Sequence, residues 1–210
     1  MKNKNSFLIS FEGIEGSGKT TQIELLKSDL VGQGYDVHLL REPGGTQFGE
    51  GLRKVILESS TPINPLSEAL LFASSRAQLL TEKILPLLAR ERTIVILDRY
   101  LDSSVAYQGF ARELGAKLIL DLHSAHPLNT RPDLTIYLKI DIETSMQRQD
   151  KRGMDKDYFE KESSAFYQKL INGYNYCADS FPDRIKTVDA MTSIDKITKA
   201  ISQEVRNLIK

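Results

Sequence analysis

The stretch of sequence that decides the fold is FLISFEGIEGSGKT, residues 7–20. Its apolar run Phe7–Phe11 predicts a buried β-strand, and the glycines that follow predict a tight turn. Every position from Gly13 to Thr20 fits the pattern G-x-x-x-x-G-K-[ST], which binds phosphate groups when it joins a strand to a helix. Apolar residues at helical spacing follow at once: Ile23, Leu26 and Leu30.

This glycine-rich loop predicts a site for a nucleoside triphosphate and Mg²⁺. Glycine lets the backbone turn its N–H groups towards phosphate oxygens, and the helix N-terminus adds partial positive charge. Lys19 is expected to reach the β- and γ-phosphates, and Thr20 to offer its hydroxyl to Mg²⁺. The residues expected to contact ATP are Gly13, Ile14, Glu15, Gly16, Ser17, Gly18, Lys19, Thr20 and Thr21.

The rest of the chain alternates strand and helix patterns. A helix is predicted to begin at Asn64-Pro65 and to kink or end at Pro86. The last helix is predicted from about Ser193, with Thr192 and Asp195 as a capping box. The further predicted strands are 36–40, 93–97, 134–140 and 185–188. This order predicts an α/β fold, a parallel sheet with helices on both faces.

Composition narrows the class of protein. The 210 residues suit one domain, and 28 basic against 28 acidic residues leave no excess of positive charge for binding nucleic acid. Cys177 is the sole cysteine, so no internal disulfide forms. The run Phe7–Phe11 is too short for a signal peptide or a membrane span. We therefore expect a soluble, cytoplasmic protein.

Two residues follow the predicted strand 93–97 directly. Asp98 is expected near the metal ion, and Arg99 is expected to bind phosphate. Their alternatives are a helix cap or turn for Asp98 and a structural ion pair for Arg99. No N-K-x-D base-reading motif of GTPases occurs, and arginines beyond the loop suit a kinase with an anionic acceptor. A kinase for another small acceptor and a nucleotide-dependent switch protein stay open as alternatives.

With these residues in view, the sequence resembles the thymidylate kinases, which phosphorylate dTMP with ATP. The phosphate loop alone is unspecific, whereas the ordered blocks that follow it are specific. They are Arg41-Glu42-Pro43-Gly44-Gly45-Thr46, Asp98-Arg99-Tyr100, Ser103-Ser104, Ala106-Tyr107-Gln108-Gly109 and Arg131-Pro132-Asp133-Leu134. The resemblance covers nearly the whole chain and implies the P-loop nucleoside monophosphate kinase fold.

The resemblance also implies residues that bind dTMP. Phe72 should stack on thymine and Arg76, one turn further on, should hydrogen-bond it. Without the resemblance, helical spacing favours a core aromatic at Phe72 and a surface charge at Arg76. Ser104 should face the ring nitrogen, with Gln108 beside it, and Tyr107 should crowd the 2′ position of the sugar.

Five charged residues complete the implied site. Arg41 and Arg99 should hold the phosphate of dTMP, and Glu15 should act at the sugar 3′-hydroxyl and near the metal. Because the loop holds no arginine, the charged segment 147–161 should be a lid that supplies one. Arg152 is the candidate, with Arg148 in support at the ATP site. A run without arginine after Gly153 departs from many relatives. The resemblance implies a homodimer as well.

Overall fold

Five parallel strands form one sheet in the computed structural model, which describes residues 2–150 and 163–210. The strands are β1 (Phe7–Glu12), β2 (Asp36–Arg41), β3 (Thr93–Asp98), β4 (Leu134–Lys139) and β5 (Ile185–Asp189). Their order across the sheet is β2-β3-β1-β4-β5. The parallel α/β fold predicted from the sequence is confirmed.

Helices connect the strands. They are α1 (Lys19–Gly32), α2 (Gln47–Leu57), α3 (Pro65–Leu79), α4 (Leu85–Leu88), α5 (Leu101–Ser104), α6 (Ala116–Leu122), α7 (Ile142–Asp150), α8 (Ser164–Ser180) and α9 (Ile194–Ile209). Two wider, π-helical segments, Leu80–Ile84 and Val105–Ala111, interrupt the α-helical stretches. None of the helices described is long and apolar enough to cross a bilayer.

The central strand β3 shows why the sheet is covered on both faces. Successive side chains of a strand point to opposite faces. Ile94 and Ile96 belong to one buried apolar cluster, whereas Val95 and Leu97 belong to another. The uninterrupted apolar run of β3 is therefore the pattern that a sheet with two covered faces requires.

The strand register gathers the predicted site residues at one edge of the sheet. Asp98 at the end of β3 pairs with Phe11 of β1 on one side and with Arg41 of β2 on the other. The phosphate loop leaves β1 one residue later, after Glu12. Ligands bind outside the carboxyl ends of parallel strands, and the candidate site lies there.

Helix α2 was not predicted. Two glycines, Gly49 and Gly51, lower the helical propensity of its sequence. Thr46 compensates at the start, because its side chain accepts a hydrogen bond from the Gly49 N–H at 2.9 Å. The helix contributes Arg53 and Leu57 to the site described below.

The start of α3 is as predicted, with the Asn64 side chain capping the Leu66 and Ser67 N–H groups. Pro86, however, does not end the helical stretch, which continues through α4 to Leu88. The irregularity lies before it, in the π-helical segment Leu80–Ile84. A proline lacks an N–H and crowds the carbonyl four residues earlier, and a wider turn accommodates both effects.

The predicted capping box of the last helix is wrong. Ser193 is the N-cap of α9 and makes no side-chain capping bond. The Thr192 hydroxyl instead donates to the Asp189 carbonyl at 3.2 Å, which closes the turn between β5 and α9.

Candidate active site

The loop between β1 and α1 takes the conformation that its glycines allow. Gly13 and Gly18 have φ angles of 137° and 93°, in a region that other residues rarely adopt. A Cβ atom at Gly13 would lie 2.5 Å from the Leu138 carbonyl oxygen. Only glycine at position 13 therefore lets the loop backbone approach Leu138 this closely.

Lys19 lies inside the loop. Its Nζ donates to the Gly13 carbonyl at 2.9 Å and to the Ile14 carbonyl at 3.3 Å. Burial, together with the nearby Arg99 charge, lowers the pKa of Lys19 to about 8. An anionic phosphate beside Lys19 would oppose this shift and favour the ammonium form.

Arg99, directly after β3, contacts both the glycine-rich loop and helix α8. Its Nη1 donates to the Gly13 carbonyl at 3.1 Å and to the Tyr174 hydroxyl at 2.9 Å, and its Nη2 forms an ion pair with Glu15. The φ angle of Arg99 is 70°, which is unusual for a residue with a side chain. Arg99 thus has the ion pair that was considered as an alternative, and that ion pair lies within the candidate site.

Glu15 is held between two partners. Arg99 pairs with Oε1, and the Tyr107 hydroxyl donates to Oε2 at 3.0 Å. Burial by itself would raise the pKa of Glu15, but the charges of Arg99 and Lys19 outweigh it and lower the pKa. The group is therefore a carboxylate held by Arg99 and Tyr107.

A cavity opens beside Arg99 and contains most of the residues expected to bind dTMP. We call it the base cavity. Its lining residues are Glu42, Pro43, Arg53, Leu57, Phe72, Arg76, Arg99, Tyr100, Ser103, Ser104, Tyr107 and Gln108. The predicted set Phe72, Arg76, Arg99, Ser104, Tyr107 and Gln108 is thus brought together.

Arg41 is the exception. Its guanidinium is largely exposed and pairs with Glu50 at 3.2 Å. It lines a separate cavity with Thr20 and Asp98, because it ends β2 on the far side of β3 from the loop. The structure does not bring Arg41 to the base cavity.

Arg76 is not a surface charge, since it is only 1% exposed. Its Nε donates to Glu42 Oε2 at 2.6 Å, and its Nη1 lies 2.7 Å from His123 Nε2. Its guanidinium stacks over the Tyr100 ring at 4.8 Å. These contacts fix the guanidinium plane and leave further N–H groups on the arginine for a ligand.

His123 is a neutral ring in this network. Its Nδ1 lies 2.7 Å from the Ile119 carbonyl, to which it must donate, so Nε2 accepts from Arg76. Burial and the Arg76 charge lower the pKa of His123 to about 3. A protonated His123 ring would be repelled by the adjacent Arg76 guanidinium.

Besides Glu42 Oε1, two buried polar atoms of residues that line the base cavity have no hydrogen-bond partner within the described ranges 2–150 and 163–210. They are Ser104 Oγ and Gln108 Oε1. Buried polar atoms are normally hydrogen-bonded, because desolvation without a partner costs about 1–3 kcal/mol. Both atoms are suited to bind polar groups of a flat ring placed between them and Phe72.

Thr20 and Asp98 line the neighbouring cavity together. Asp98 Oδ1 is buried and has no hydrogen-bond partner among the residues described. One hydroxyl and one carboxylate fit Mg²⁺, which prefers oxygen ligands and takes several from water and phosphate. In the described part of the chain, no cluster of three or more His, Cys, Asp or Glu residues exists that would hold a metal by protein ligands alone.

Glu12 orders the segment that carries Arg99. It accepts hydrogen bonds from the Tyr100 N–H at 2.8 Å and from the Ser103 hydroxyl. Burial and the Asp102 carboxylate raise the pKa of Glu12 to about 7. Its contacts are with this segment rather than with the glycine-rich loop.

Arg148, near the end of α7, contacts the glycine-rich loop. It donates to the Gly16 carbonyl at 3.0 Å and to the Ala190 carbonyl at 3.0 Å. The predicted catalytic Arg152 and most of the predicted lid, residues 151–161, lie outside the described residues.

Several site residues had no signal in the sequence. Glu42 and Tyr100 lie inside motifs that were quoted, but no role was predicted for them. Glu68, His123 and Tyr174 lie in helical stretches or at a helix end, where a buried polar residue looks like a surface one. Only their contacts across the fold identify them.

Comparison with known proteins decides the family. The family model described as thymidylate kinase matches residues 11–201. The chain belongs to the thymidylate kinase family. It is 44% identical over 209 residues to the thymidylate kinase of Thermoanaerobacter sp. (strain X514), covering 100% of both chains.

Other thymidylate kinases agree. That of Staphylococcus haemolyticus is 41% identical over 98% of this chain and all of its own length. The crystal structure of thymidylate kinase from Ehrlichia chaffeensis superposes with a TM-score of 0.74 at 29% identity, over 96% of this chain and 99% of that one. Members of the thymidylate kinase family are phosphotransferases that convert dTMP to dTDP.

Proposed function

We propose that this chain transfers the γ-phosphoryl group of ATP to dTMP, giving dTDP and ADP. The observation that carries the proposal is the position of Arg99. It lines the base cavity and also donates to the carbonyl of Gly13 in the glycine-rich loop. A monophosphate whose base fills the cavity would therefore place its phosphate beside the loop that holds ATP.

Binding of the base uses the groups described above. Thymine lies against the Phe72 ring, Arg76 donates to a ring carbonyl, and Ser104 and Gln108 bind the ring edge at N3. Their buried unpartnered atoms supply the reason, because a ligand that satisfies them removes a desolvation cost. Tyr107, held by Glu15, stands where a 2′-hydroxyl would be crowded.

The phosphate groups are bound by cations. Lys19 binds the transferring phosphoryl group, and Arg99 binds the phosphate of dTMP. Arg41 joins Arg99 once its guanidinium leaves Glu50. Mg²⁺, held by Thr20 with Asp98 close by, would neutralise charge on the phosphates. The chain therefore contributes mainly position and charge, which is what phosphoryl transfer requires.

Residues 147–161 are proposed as a lid, and Arg152 as the arginine that stabilises the transferring phosphoryl group. The loop's own variable positions, 14–17, contain no arginine. Arg148 already lies against the loop and would bind ATP beside it. Closure would also exclude water, so that ATP is not hydrolysed.

The experiment that tests the function is a coupled ADP-release assay with ATP and Mg²⁺, run with dTMP and without an acceptor. Release that depends on dTMP supports the proposal. Equal release in both arms contradicts it. A panel of dUMP, dCMP and dGMP in the same assay separates dTMP from other monophosphate acceptors.

We also propose that the protein is a homodimer. Four large apolar side chains are exposed on the adjacent helices α2 and α3: Phe48, Val55, Leu66 and Leu70. Phe48 and Val55 are seven residues apart on α2, and Leu66 and Leu70 are four apart on α3, so each pair shares a helix face. We propose that a second copy covers these apolar residues of α2 and α3, which we call the apolar face. Helix α3 also carries Phe72 and Arg76, so the interface would support the base cavity.

A further inference from the structure

Glu68 is a buried carboxylate beneath the base cavity that no step of the proposed reaction uses. It lies on α3 and is 0% exposed. A carboxylate in such a place normally has partners that compensate for lost hydration. Its partners include two side chains of the segment that follows β3.

These partners are Gln108 and Arg112. Gln108 Nε2 donates to Glu68 Oε1 at 2.8 Å, and Arg112 Nε donates to Glu68 Oε2 at 3.3 Å. The Arg112 guanidinium favours the ionised form of Glu68, and an ionised carboxylate only accepts hydrogen bonds. Glu68 therefore requires the amino end of the Gln108 amide to face it.

The fixed orientation of the Gln108 amide also determines which atom faces the cavity. When Nε2 binds Glu68, Oε1 is the end that remains, and it is the buried Gln108 atom without a partner. Gln108 lines the base cavity. The cavity thus offers a hydrogen-bond acceptor whose identity is set by Glu68 and not by the ligand.

Ser104 does not present a fixed donor or a fixed acceptor to the cavity. Its hydroxyl also lines the cavity, but a hydroxyl rotates and serves as donor or acceptor. Ser104 therefore tolerates either kind of ring edge, whereas Gln108 with a fixed amide does not. Discrimination between a donor and an acceptor at N3 therefore falls to the Glu68–Gln108 pair.

We propose that Glu68 is a positioning residue that makes the base cavity specific for pyrimidines with an N3–H donor. Thymine and uracil carry this proton, whereas cytosine has an acceptor at N3. Against cytosine, two acceptors would face each other at a buried site, and such mismatches give the largest discrimination that binding sites achieve. The inference rests on the proposed function, because it concerns the acceptor of that reaction.

The test compares dTMP with dCMP in calorimetric binding and in the coupled assay, for the wild type and for Glu68→Gln. An amide at position 68 can accept from Arg112 and donate to Gln108 Oε1, which frees Gln108 to turn its Nε2 into the cavity. We expect dTMP affinity to fall about 10- to 100-fold and dCMP affinity not to fall. An equal loss for both ligands, or no loss, overturns the proposal.

Gln108→Leu keeps the proposal testable if Glu68→Gln does not fold. It removes the acceptor itself, so the preference for dTMP over dCMP should fall by a similar factor. Adding Glu68→Gln to Gln108→Leu should then change the preference no further, because Glu68 acts through Gln108. A preference that Gln108→Leu leaves intact, or a further loss in the double variant, overturns the proposal.

The wild type separates this inference from the proposed function. If the wild type neither binds nor phosphorylates dTMP, the proposed function fails and the inference fails with it. If the wild type prefers dTMP but both variants keep that preference, only the inference fails.

Discussion

His123 illustrates how single residues of the site are fixed by their neighbours. It accepts from Arg76 through Nε2 and donates to Ile119 through Nδ1, so both ring nitrogens are used. Nothing in the stretch LHSAHP marks His123 rather than His126 as the buried ring. The role follows from the contact between two helices that are distant in the chain.

The histidine makes stability depend on pH. Its pKa is about 3 in the folded protein and about 6.5 in an unfolded chain. Between these values the unfolded chain binds a proton that the folded chain does not, so stability falls as the pH is lowered from about 6.5. In His123→Gln the amide oxygen can still accept from Arg76 but does not titrate. We expect urea unfolding of the variant to lose less stability between pH 6.5 and 4.5.

The difference between the wild type and His123→Gln isolates the contribution of His123 to the pH dependence of stability, because both proteins contain the same carboxylates. Glu12, with a pKa raised to about 7, acts in the opposite sense, and its contribution falls as the pH rises from about 4.5 through 7. Parallel curves of unfolding free energy against pH for wild type and His123→Gln would contradict the role of His123.

Asp98 makes a second prediction for a single residue. Its buried Oδ1 has no partner among the described residues and shares a cavity with Thr20. We expect Asp98→Ala to raise the Mg²⁺ concentration needed for half-maximal activity at least about tenfold, because a charged ligand or its water bridge is lost. Thr20→Ser is the matched control, since it keeps the hydroxyl. Identical Mg²⁺ curves for Asp98→Ala and the wild type would exclude Asp98 from the metal site.

Among the helices, α8 has the closest contact with the segment that carries the base cavity. Gly173 of α8 lies so near the π-helical segment Val105–Ala111 that a Cβ atom would stand 2.6 Å from Ala106 Cα. That segment holds Tyr107 and Gln108. Gly173 therefore sets the distance between α8 and the residues that we propose bind dTMP.

Gly173→Ala tests this contact. Overpacking of this kind costs about 1–3 kcal/mol, so we expect a lower midpoint of thermal unfolding and a higher KM for dTMP. Gly32→Ala, at the end of α1, is the control, because a Cβ there meets nothing within 4 Å. The control should keep or slightly raise stability, since alanine favours helix. An unfolding midpoint in Gly173→Ala equal to that of the wild type would contradict the tight contact.

For the whole molecule, the apolar face of α2 and α3 predicts a dimer. Leu70 of α3 is 49% exposed on this face, and Val31 of α1 is 52% exposed elsewhere. We expect Leu70→Glu to shift the mass from dimer to monomer in sedimentation velocity, because a charge would be buried without a partner. Val31→Glu should leave the mass unchanged. A wild type that sediments as a monomer would refute the dimer.

The proposed lid, residues 147–161, makes a prediction for Arg152, which lies outside the described part of the chain. Arg152→Ala is expected to lower kcat by about 10³-fold, on the order of other arginines that stabilise phosphoryl transfer, with the Kd for dTMP nearly unchanged. Single-turnover and binding measurements together decide it. An unchanged kcat would remove Arg152 from the reaction.

The local sequence was sufficient to predict strands, the phosphate loop and one helix start, because neighbouring residues determine these features. Short, mostly apolar runs predicted β1, β3 and β4, and the glycine pattern predicted the phosphate loop between β1 and α1. Asn64 predicted the start of α3. The resemblance named six of the residues that line the base cavity. It also named Arg41, which β2 places on the far side of β3.

Other features arise only when distant segments meet. The buried partners Glu68, His123 and Tyr174 have ordinary local surroundings in the sequence, and their roles depend on atoms 40 or more positions away, such as Glu68 Oε1 beside Gln108 Nε2. Helix α2 and the π-helical segments depend on capping and packing that offset weak local propensity. Residue type and spacing therefore determine which chemistry is possible, whereas burial and long-range contacts determine which end of each polar group faces the ligand.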